Sequence, residues 1–341
     1  MPTSPILRLL RPVLAGLLAV SATTHALTPP HPSFWAQDIA VDDRGNAVVV
    51  FNDHHVYRRG PEDARWERVD GPWTPFEPLR LLGNGTATLI LAGNTATRRS
   101  SDGGRHWHEL PPVAWQAMDA RGRLFACPVN APLLRSDDGG LHAQVIGTAP
   151  LPNDACRRLM VARDGAIYVV SENARIVRSE DDGRHWAPAT LAGDAVLSGD
   201  GTLYLNRSQF DEKTFASQEF AMRSADGGRT WQRTAFGAAD PQQSAQVIAV
   251  DGSRLLAQFG GTEPARRFCI VEHERATRCL GDAMTDFTLD EQHVLLRGDA
   301  VWWTDMYEVR RFLLEPHAAR RDPQVDGAGL PDPLSGRPRE H

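Results

Sequence analysis

Short apolar runs alternate with polar, glycine-containing turns along most of the chain. Six such turns lead directly into an apolar run, and a seventh example is weaker: DDRGNAVVVF (42–51), GNGTATLILA (83–92), DARGRLFACP (119–128), ARDGAIYVV (162–170), SGDGTLYL (198–205), VDGSRLLAQF (250–259) and LDEQHVLLR (289–297). Short apolar runs bounded by turn residues are typical of β-strands, and no segment of ten or more residues has the apolar spacing of a helix. The pattern therefore predicts an all-β chain built from repeats.

A second turn recurs after the middle strands of this series. Its four copies are RSSDGGRHW (99–107), RSDDGGLHA (135–143), RSEDDGRHW (178–186) and RSADGGRTW (223–231). Serine and aspartate side chains can accept hydrogen bonds from turn amides, glycine adopts the positive φ of a tight reversal, and tryptophan can pack on the neighbouring hairpin. We predict that these residues close their own turns: Ser100, Asp102, Gly104, Trp107, Ser136, Asp138, Gly140, Ser179, Asp181, Gly183, Trp186, Ser224, Asp226, Gly228 and Trp231. The second copy ends in Ala143 instead of tryptophan, so we expect looser packing there.

The two signals together divide the chain into units of equal content. Degenerate copies of the second turn at 57–66, 272–277 and 302–309 bring the count to seven units, spaced roughly 35 to 50 residues apart. Each unit holds two hairpins, hence four strands. We therefore predict a β-propeller of four-stranded blades over residues 27–315, with seven blades and with six as the alternative.

The repeated turn resembles the Asp-box, or bacterial neuraminidase, repeat. That repeat occurs in sialidases, sortilin-type receptor propellers, some xyloglucanases and photosystem II assembly and stability factors, and the resemblance covers roughly residues 33–315. It implies a propeller in which the boxes are structural and lie opposite the ligand site, so their acids are not catalytic. A calcium loop is the competing interpretation of the turn, but the further spaced acids and terminal glutamate of such a loop are missing.

The two ends of the chain differ in composition from the repeats. Arg8 and Arg11 precede an apolar run at 13–20 and the small residue Ala26, which is typical of a signal peptide over residues 1–26. The segment 316–341 is rich in proline, glycine and charge, so we expect a disordered tail. The apolar run is too short to span a bilayer. We expect an exported monomer, periplasmic or extracellular, that is not an integral membrane protein.

Charge and cysteine content narrow the possible partners. The net charge is −6, and removal of the signal peptide would make it −8, so nucleic acid is not expected as a partner. Four cysteines in an exported protein permit two disulfides. Cys269 and Cys279 flank a short turn and could face each other across a hairpin, which leaves Cys127 to pair with Cys156. Without a CxxC spacing we expect no metal and no cofactor.

The face opposite the repeated turns is where we expect a ligand to bind. Its loops join the second and third strands of each blade and connect successive blades, and the longest of them is predicted at 206–219. Candidate rim residues are Trp73, Phe76, Trp115, Arg175, Arg207, Phe210, Asp211, Phe236 and Arg266. The alternative for the aromatic members is that they fill gaps between blades.

Two functional hypotheses follow from this organisation. The first is a non-enzymatic propeller that binds a protein or glycan through the loop rim. The second is a glycoside hydrolase of the sialidase or xyloglucanase type, which needs a pair of carboxylates. The Arg-Ile-Pro segment of sialidases does not occur, and Tyr168 and Tyr204 occupy equivalent repeat positions, which favours packing. No catalytic residue is therefore assigned.

Overall fold

A computed structural model describes residues 25–27, 36–51, 55–63, 65–69, 79–213, 216–234, 236, 245–260, 267–280, 294–304 and 309–314. Every regular element in these ranges is a strand. Strands of the first four blades are β2 (Ala36–Val41), β3 (Ala47–Phe51), β4 (Val56–Arg59), β5 (Glu67–Val69); β6 (Arg80–Gly83), β7 (Leu89–Ala92), β8 (Thr97–Ser100), β9 (His108–Leu110); β10 (Ala117–Met118), β11 (Leu124–Ala126), β12 (Leu133–Ser136), β13 (Gln144–Ile146); β14 (Cys156–Val161), β15 (Ile167–Ser171), β16 (Ile176–Ser179), β17 (Ala187–Pro188).

The remaining three blades follow in the same order. Their strands are β18 (Ala195–Leu197), β19 (Leu203–Asp211), β20 (Ala216–Ser224), β21 (Gln232–Thr234); β22 (Ala245–Asp251), β23 (Arg254–Phe259), β24 (Arg267–Glu272), β25 (Arg275–Leu280); β26 (Val294–Arg297), β27 (Ala300–Thr304), β28 (Val309–Leu313) and β1 (His25–Leu27). Blade 7 therefore takes its fourth strand from the opposite end of the chain, since β1 pairs antiparallel with β28.

The seven sheets form a closed ring. The first strand of each blade contacts the first strand of the next, and β26 contacts β2. Apolar residues pack between neighbouring blades, as where Val48 and Val50 of β3 meet Leu89 and Leu91 of β7. All five residues of β3 and of β15 are buried, because a middle strand has a blade on each of its faces. The fold is a seven-bladed β-propeller, which confirms the predicted class and blade number.

One expected loop is replaced by strand. We predicted a long loop at 206–219, but β19 and β20 pair in register from Leu203 with Ser224 as far as Asp211 with Ala216. β18 pairs with only the first three residues of β19, so the hairpin projects beyond its sheet. Residues 206–211 contain no glycine or proline to interrupt the strand.

Both expected cysteine pairs are joined. Cys127 bonds to Cys156 across blades 3 and 4, and Cys269 bonds to Cys279 between neighbouring strands of blade 6. Within the described ranges there is no helix that is long and apolar enough to cross a membrane.

Candidate functional site

The propeller has two different faces. The face called here the turn face carries the turns between first and second strands and between third and fourth strands. The opposite face, called the loop face, carries the loops between second and third strands and the connections between blades. Each first strand begins at the loop face and ends at the turn face.

The four repeated turns share one hydrogen-bond pattern on the turn face. In the first, Ser100 Oγ donates to Asp102 Oδ1 at 2.8 Å and accepts from the Gly104 amide at 2.9 Å. The corresponding bonds in the other three turns measure 2.7–2.9 Å. Each serine is at most 2% exposed. The serine thus satisfies a buried amide while it orients the carboxylate.

Each aspartate of these turns also binds the residue four positions later. His106, His142 and His185 place Nδ1 within 2.5–2.6 Å of the carboxylate, and Thr230 donates through Oγ1 at 2.6 Å in the fourth turn. Hydrogen bonds from the side chain and amide of Thr230 hold the pKa of Asp226 well below its usual range. These aspartates are therefore ionised and hydrogen-bonded within their own turns, so they are not suited to donate a proton.

The tryptophans close the turns in two ways. Trp107 and Trp231 donate through Nε1 to the carbonyls of Gly104 and Gly228 in their own turns. Trp186 donates instead to the Thr148 carbonyl at the edge of the preceding blade. The second turn, which lacks a tryptophan, has Trp115 beside it: a β-carbon added to Gly140 would lie 3.6 Å from Trp115 Nε1.

The arginine that precedes each of these serines reaches the next blade. Arg99 donates to the Asp138 carbonyl, Arg135 lies 3.2 Å from Asp182, and Arg223 pairs with Glu274. The Arg178 guanidinium lies over Gly227: a β-carbon added to this glycine would be 2.5 Å from Cζ of Arg178. Blades 2 to 6 are thereby linked along the turn face.

The turns between first and second strands add a second set of links. The Asp43 amide donates to the Gly85 carbonyl, and the Gly199 amide donates to the Gly252 carbonyl. Arg297 of blade 7 lies 3.6 Å from Asp43 of blade 1, across the closure of the ring. The described turns of this face therefore take part in bonds that link neighbouring blades.

A cavity of about 570 Å³ opens on the loop face at the start of the first strands of blades 1, 2 and 4. Its wall is formed by Gln37, Asp38, Leu79, Arg80, Leu81, Leu82, Ala92, Gly93, Asn94, Ala114, Trp115, Gln116, Arg157, Arg158, Leu159 and Met160. The volume suits a small molecule or a few residues of a larger ligand.

Asp38 is the one carboxyl group in this described wall. Its oxygens accept hydrogen bonds from the Ile39 amide and, across the blade boundary, from the Leu81 amide, both at 2.8 Å. Burial raises the pKa of Asp38 to about 6, against the smaller lowering effects of the two amides and of Arg80. This carboxyl therefore keeps its proton to a higher pH than an exposed aspartate does.

Three arginines give the cavity its positive charge. Arg157 lies 2.5 Å from the Asp194 carboxylate of blade 5, and Arg158 donates to the Ala195 carbonyl at 3.1 Å. Arg80 is exposed, and its side chain makes no hydrogen bond or ion pair with another residue in the described part of the chain, although its charge lowers the pKa of Asp38. The Asp194 carboxylate offsets the charge of Arg157, so the other two guanidinium groups stand against one carboxyl of raised pKa, which favours an anionic ligand group.

Two strand irregularities aim residues into the cavity. In β14, Cys156 pairs with Ser171 and Arg158 with Val170, so Arg157 is an extra residue in the strand. In β2 the same shift makes Gln37 the extra residue. A bulge of this kind redirects a side chain, and here both redirected residues line the cavity.

The predicted rim residues are dispersed. Trp73, Phe76 and Arg266 lie outside the described residues. Trp115 and Phe236 are each 1% exposed, so the structure agrees with the alternative in which these rings fill gaps between blades. Phe236 packs against Tyr204 and Phe259.

The remaining rim candidates lie away from the cavity wall. Arg175 is bound to Asp154 at 2.9 Å, and Arg207 donates to the Ala192 carbonyl. Phe210 is 58% exposed near the tip of the projecting hairpin, where Asp211 ends β19. Among the described candidates, only Trp115 contributes to the cavity.

Sequence reasoning missed Asp38, Arg80, Arg157 and Arg158. All four stand at the start of the apolar first strand of a blade, where the repeat otherwise places uncharged residues. A charged residue at the beginning of an inner strand is the signal that could have identified them.

The comparisons with known proteins agree on the architecture. The structure titled YCF48 bound to D1 peptide has a TM-score of 0.60 at 14% identity, over 87% of this chain and 97% of that one. A GH74 xyloglucanase from Xanthomonas campestris has a TM-score of 0.59 at 18% identity over 88% of this chain, which spans 55% of the enzyme. Virginiamycin B lyase from Staphylococcus aureus has a TM-score of 0.57 at 13% identity, over 86% and 99%.

At these identities the likeness shows a common fold and leaves the function open. No protein-family profile matches the chain, and no curated protein matches it.

Proposed function

We propose that this chain is an exported, non-enzymatic propeller that binds a protein or glycan partner through its loop face, with an anionic group of that partner in the arginine-lined cavity. The observation that carries the proposal is the cavity wall itself, where Arg80, Arg157 and Arg158 outnumber the wall carboxyl Asp38 and the Asp194 carboxylate that pairs with Arg157. The repeated turns act in this proposal as structural Asp boxes on the other face.

Two further observations support this role. The similar structure of YCF48 has a D1 peptide bound, so a propeller of this size can serve as a peptide-binding protein. The two disulfides fit an oxidising compartment, as expected for an exported chain. Residues 1–26 would supply the export signal in this proposal, and cleavage after Ala26 would remove His25 and Ala26 of β1 and leave Leu27 of the strand that pairs with β28. Residues 316–341 would form a disordered tail.

A glycoside hydrolase is the second candidate, and two observations favour it. The raised pKa of Asp38 is typical of a general acid, and one similar structure is a xyloglucanase. The reaction requires a second carboxyl about 5 Å away for a retaining enzyme or 6.5–9.5 Å for an inverting one. The described wall supplies no second carboxyl.

Anisotropy titration with a rhodamine-labelled hexaglutamate peptide, beside an array of neutral, carboxylated and sulfated glycans, tests the binding proposal. We expect binding that weakens with salt and that Arg80→Ala reduces about tenfold or more, the value of one lost charge-assisted contact. The matched control is Arg105→Ala, which removes the same charge from an exposed position on the turn face.

Equal losses in the two variants, or binding of neutral ligands alone, would refute the arginine site. Hydrolysis of fluorogenic glycosides by the wild type, abolished in Asp38→Asn, would establish the enzyme in place of the binding protein.

A further inference from the structure

The disulfide between Cys127 and Cys156 lies directly behind the cavity wall. The Cys127 amide donates to Oε1 of Gln116 at 3.2 Å, and Gln116 lines the cavity. Cys156 immediately precedes Arg157, which also lines it. The cross-link therefore connects the wall segment before blade 3 to the wall segment that begins blade 4.

Arg157 depends on its neighbours for its direction. As the extra residue of a bulge it has no partner of its own in the register of β14 with β15. On its C-terminal side Arg158 returns to that register opposite Val170. On its N-terminal side Cys156 is held both by Ser171 and by the covalent bond to blade 3.

The other links between these segments are noncovalent: Phe125 and Leu133 of blade 3 pack with Leu159 of blade 4 in a buried apolar cluster, and hydrogen bonds lie nearer the surface. The Asn153 amide donates to the Asn130 side chain at 2.9 Å in an exposed position. The ion pair between Asp154 and Arg175 lies within blade 4 and its preceding connection, so it does not join the two segments. The disulfide is the covalent link between the two segments, and Cys127 is 6% exposed.

We propose that the Cys127–Cys156 disulfide positions Arg157 for ligand binding, so that both cysteines are positioning residues of the cavity in addition to stabilising the ring. The proposal rests on the proposed function, because the anionic group of the ligand is what Arg157 would meet. Without the cross-link, the bulge has more than one accessible arrangement and the Arg157 guanidinium is held near Asp194 for less of the time.

The second disulfide provides a matched control. Cys269 and Cys279 join neighbouring strands of blade 6, and neither lines the cavity. The two bonds close loops of 29 and 10 residues, so their removal costs stability of similar size in the chain-entropy account. If removal of the two disulfides affects ligand binding differently, the difference reflects where each disulfide lies and not a general loss of stability.

The experiment compares Cys127→Ala/Cys156→Ala with Cys269→Ala/Cys279→Ala at a temperature where both are folded. Amide hydrogen exchange of residues 156–160 and the affinity for rhodamine-labelled hexaglutamate are measured in each. We expect faster exchange and an affinity loss of at least about threefold in the first variant only. Arg157→Ala should also cost less affinity in the first variant than in the wild type, because its side chain is already misplaced there.

Unchanged exchange and affinity in the first variant, or equal affinity losses in both variants, would overturn the positioning role. If the wild type fails to bind the peptide, the proposed function fails, and the exchange data still decide whether the cross-link holds the wall segment.

Should the first variant not fold, dithiothreitol is applied to the folded Cys269→Ala/Cys279→Ala protein. The reagent supplies two electrons and two protons, which convert the remaining disulfide to two thiols while the reagent closes to its own cyclic disulfide. The same two readouts then apply.

Discussion

Replacement of Ser100 by alanine tests how the repeated turns hold the ring together. The serine is fully buried, accepts from the Gly104 amide at 2.9 Å and donates to Asp102 at 2.8 Å. Gly104 is itself buried, so Ser100→Ala leaves its amide without a partner, which costs about 1–3 kcal/mol. Together with the lost bond to Asp102, we expect a loss of about 2–3 kcal/mol in the free energy of unfolding.

The assay is thermal and urea denaturation followed by circular dichroism and tryptophan fluorescence. For a domain of this size the expected loss lowers the melting temperature by roughly 3–5 °C. The control is Ser101→Ala, which removes the same hydroxyl one residue away at an exposed position and should change stability by less than about 0.5 kcal/mol. Because Ser100 and Asp102 share a hydrogen bond, Ser100→Ala and Asp102→Asn should combine to less than the sum of their separate effects. Identical melting temperatures for Ser100→Ala and Ser101→Ala would refute the view that the serine holds the turn closed.

Two further predictions concern a glycine and a carboxyl. Gly140→Ala should destabilise more than Gly165→Ala in denaturant titrations: both glycines have a positive φ, but a β-carbon at Gly140 would approach Leu110 to 2.7 Å, whereas none lies within 4 Å at Gly165. Comparable losses in the two variants would show that the space beside Trp115 is not tightly filled. Asp38 has a folded-state pKa of about 6, above its unfolded value of 3.8, so the folded state binds the extra proton between these values and its stability falls as pH rises through that window. Asp38→Asn removes this dependence. Between pH 4 and pH 7 the free energy of unfolding of the variant should therefore rise relative to that of the wild type by up to about 3 kcal/mol. Urea denaturation across this pH range measures the trend, and stability profiles of the two proteins that run parallel would contradict it.

The sequence alone determined the parts of the structure that are local. Ser224, Asp226, Gly228 and Thr230 lie within seven residues of one another, and their bonds form inside a single turn. The residues that make these hydrogen bonds can be recognised in the sequence of a single turn. The recurrence of this turn together with the apolar strands indicates the number of blades. The class of fold and its seven blades were therefore predictable, as was the pairing of the four cysteines.

Only the tertiary structure decided where the candidate site lies. Asp38, Arg80 and Arg157 belong to three different blades and come together because the ring places the beginnings of their first strands around one opening. The burial that raises the pKa of Asp38 also arises from this closure. Exposure follows the same rule: Trp115 and Phe210 are both aromatic residues outside the repeated motifs, and the packing of neighbouring blades covers the first and leaves the second in solvent. Hydrogen bonds within a turn are specified by adjacent residues, whereas a cavity is specified by the geometry of a closed ring, which no single repeat contains.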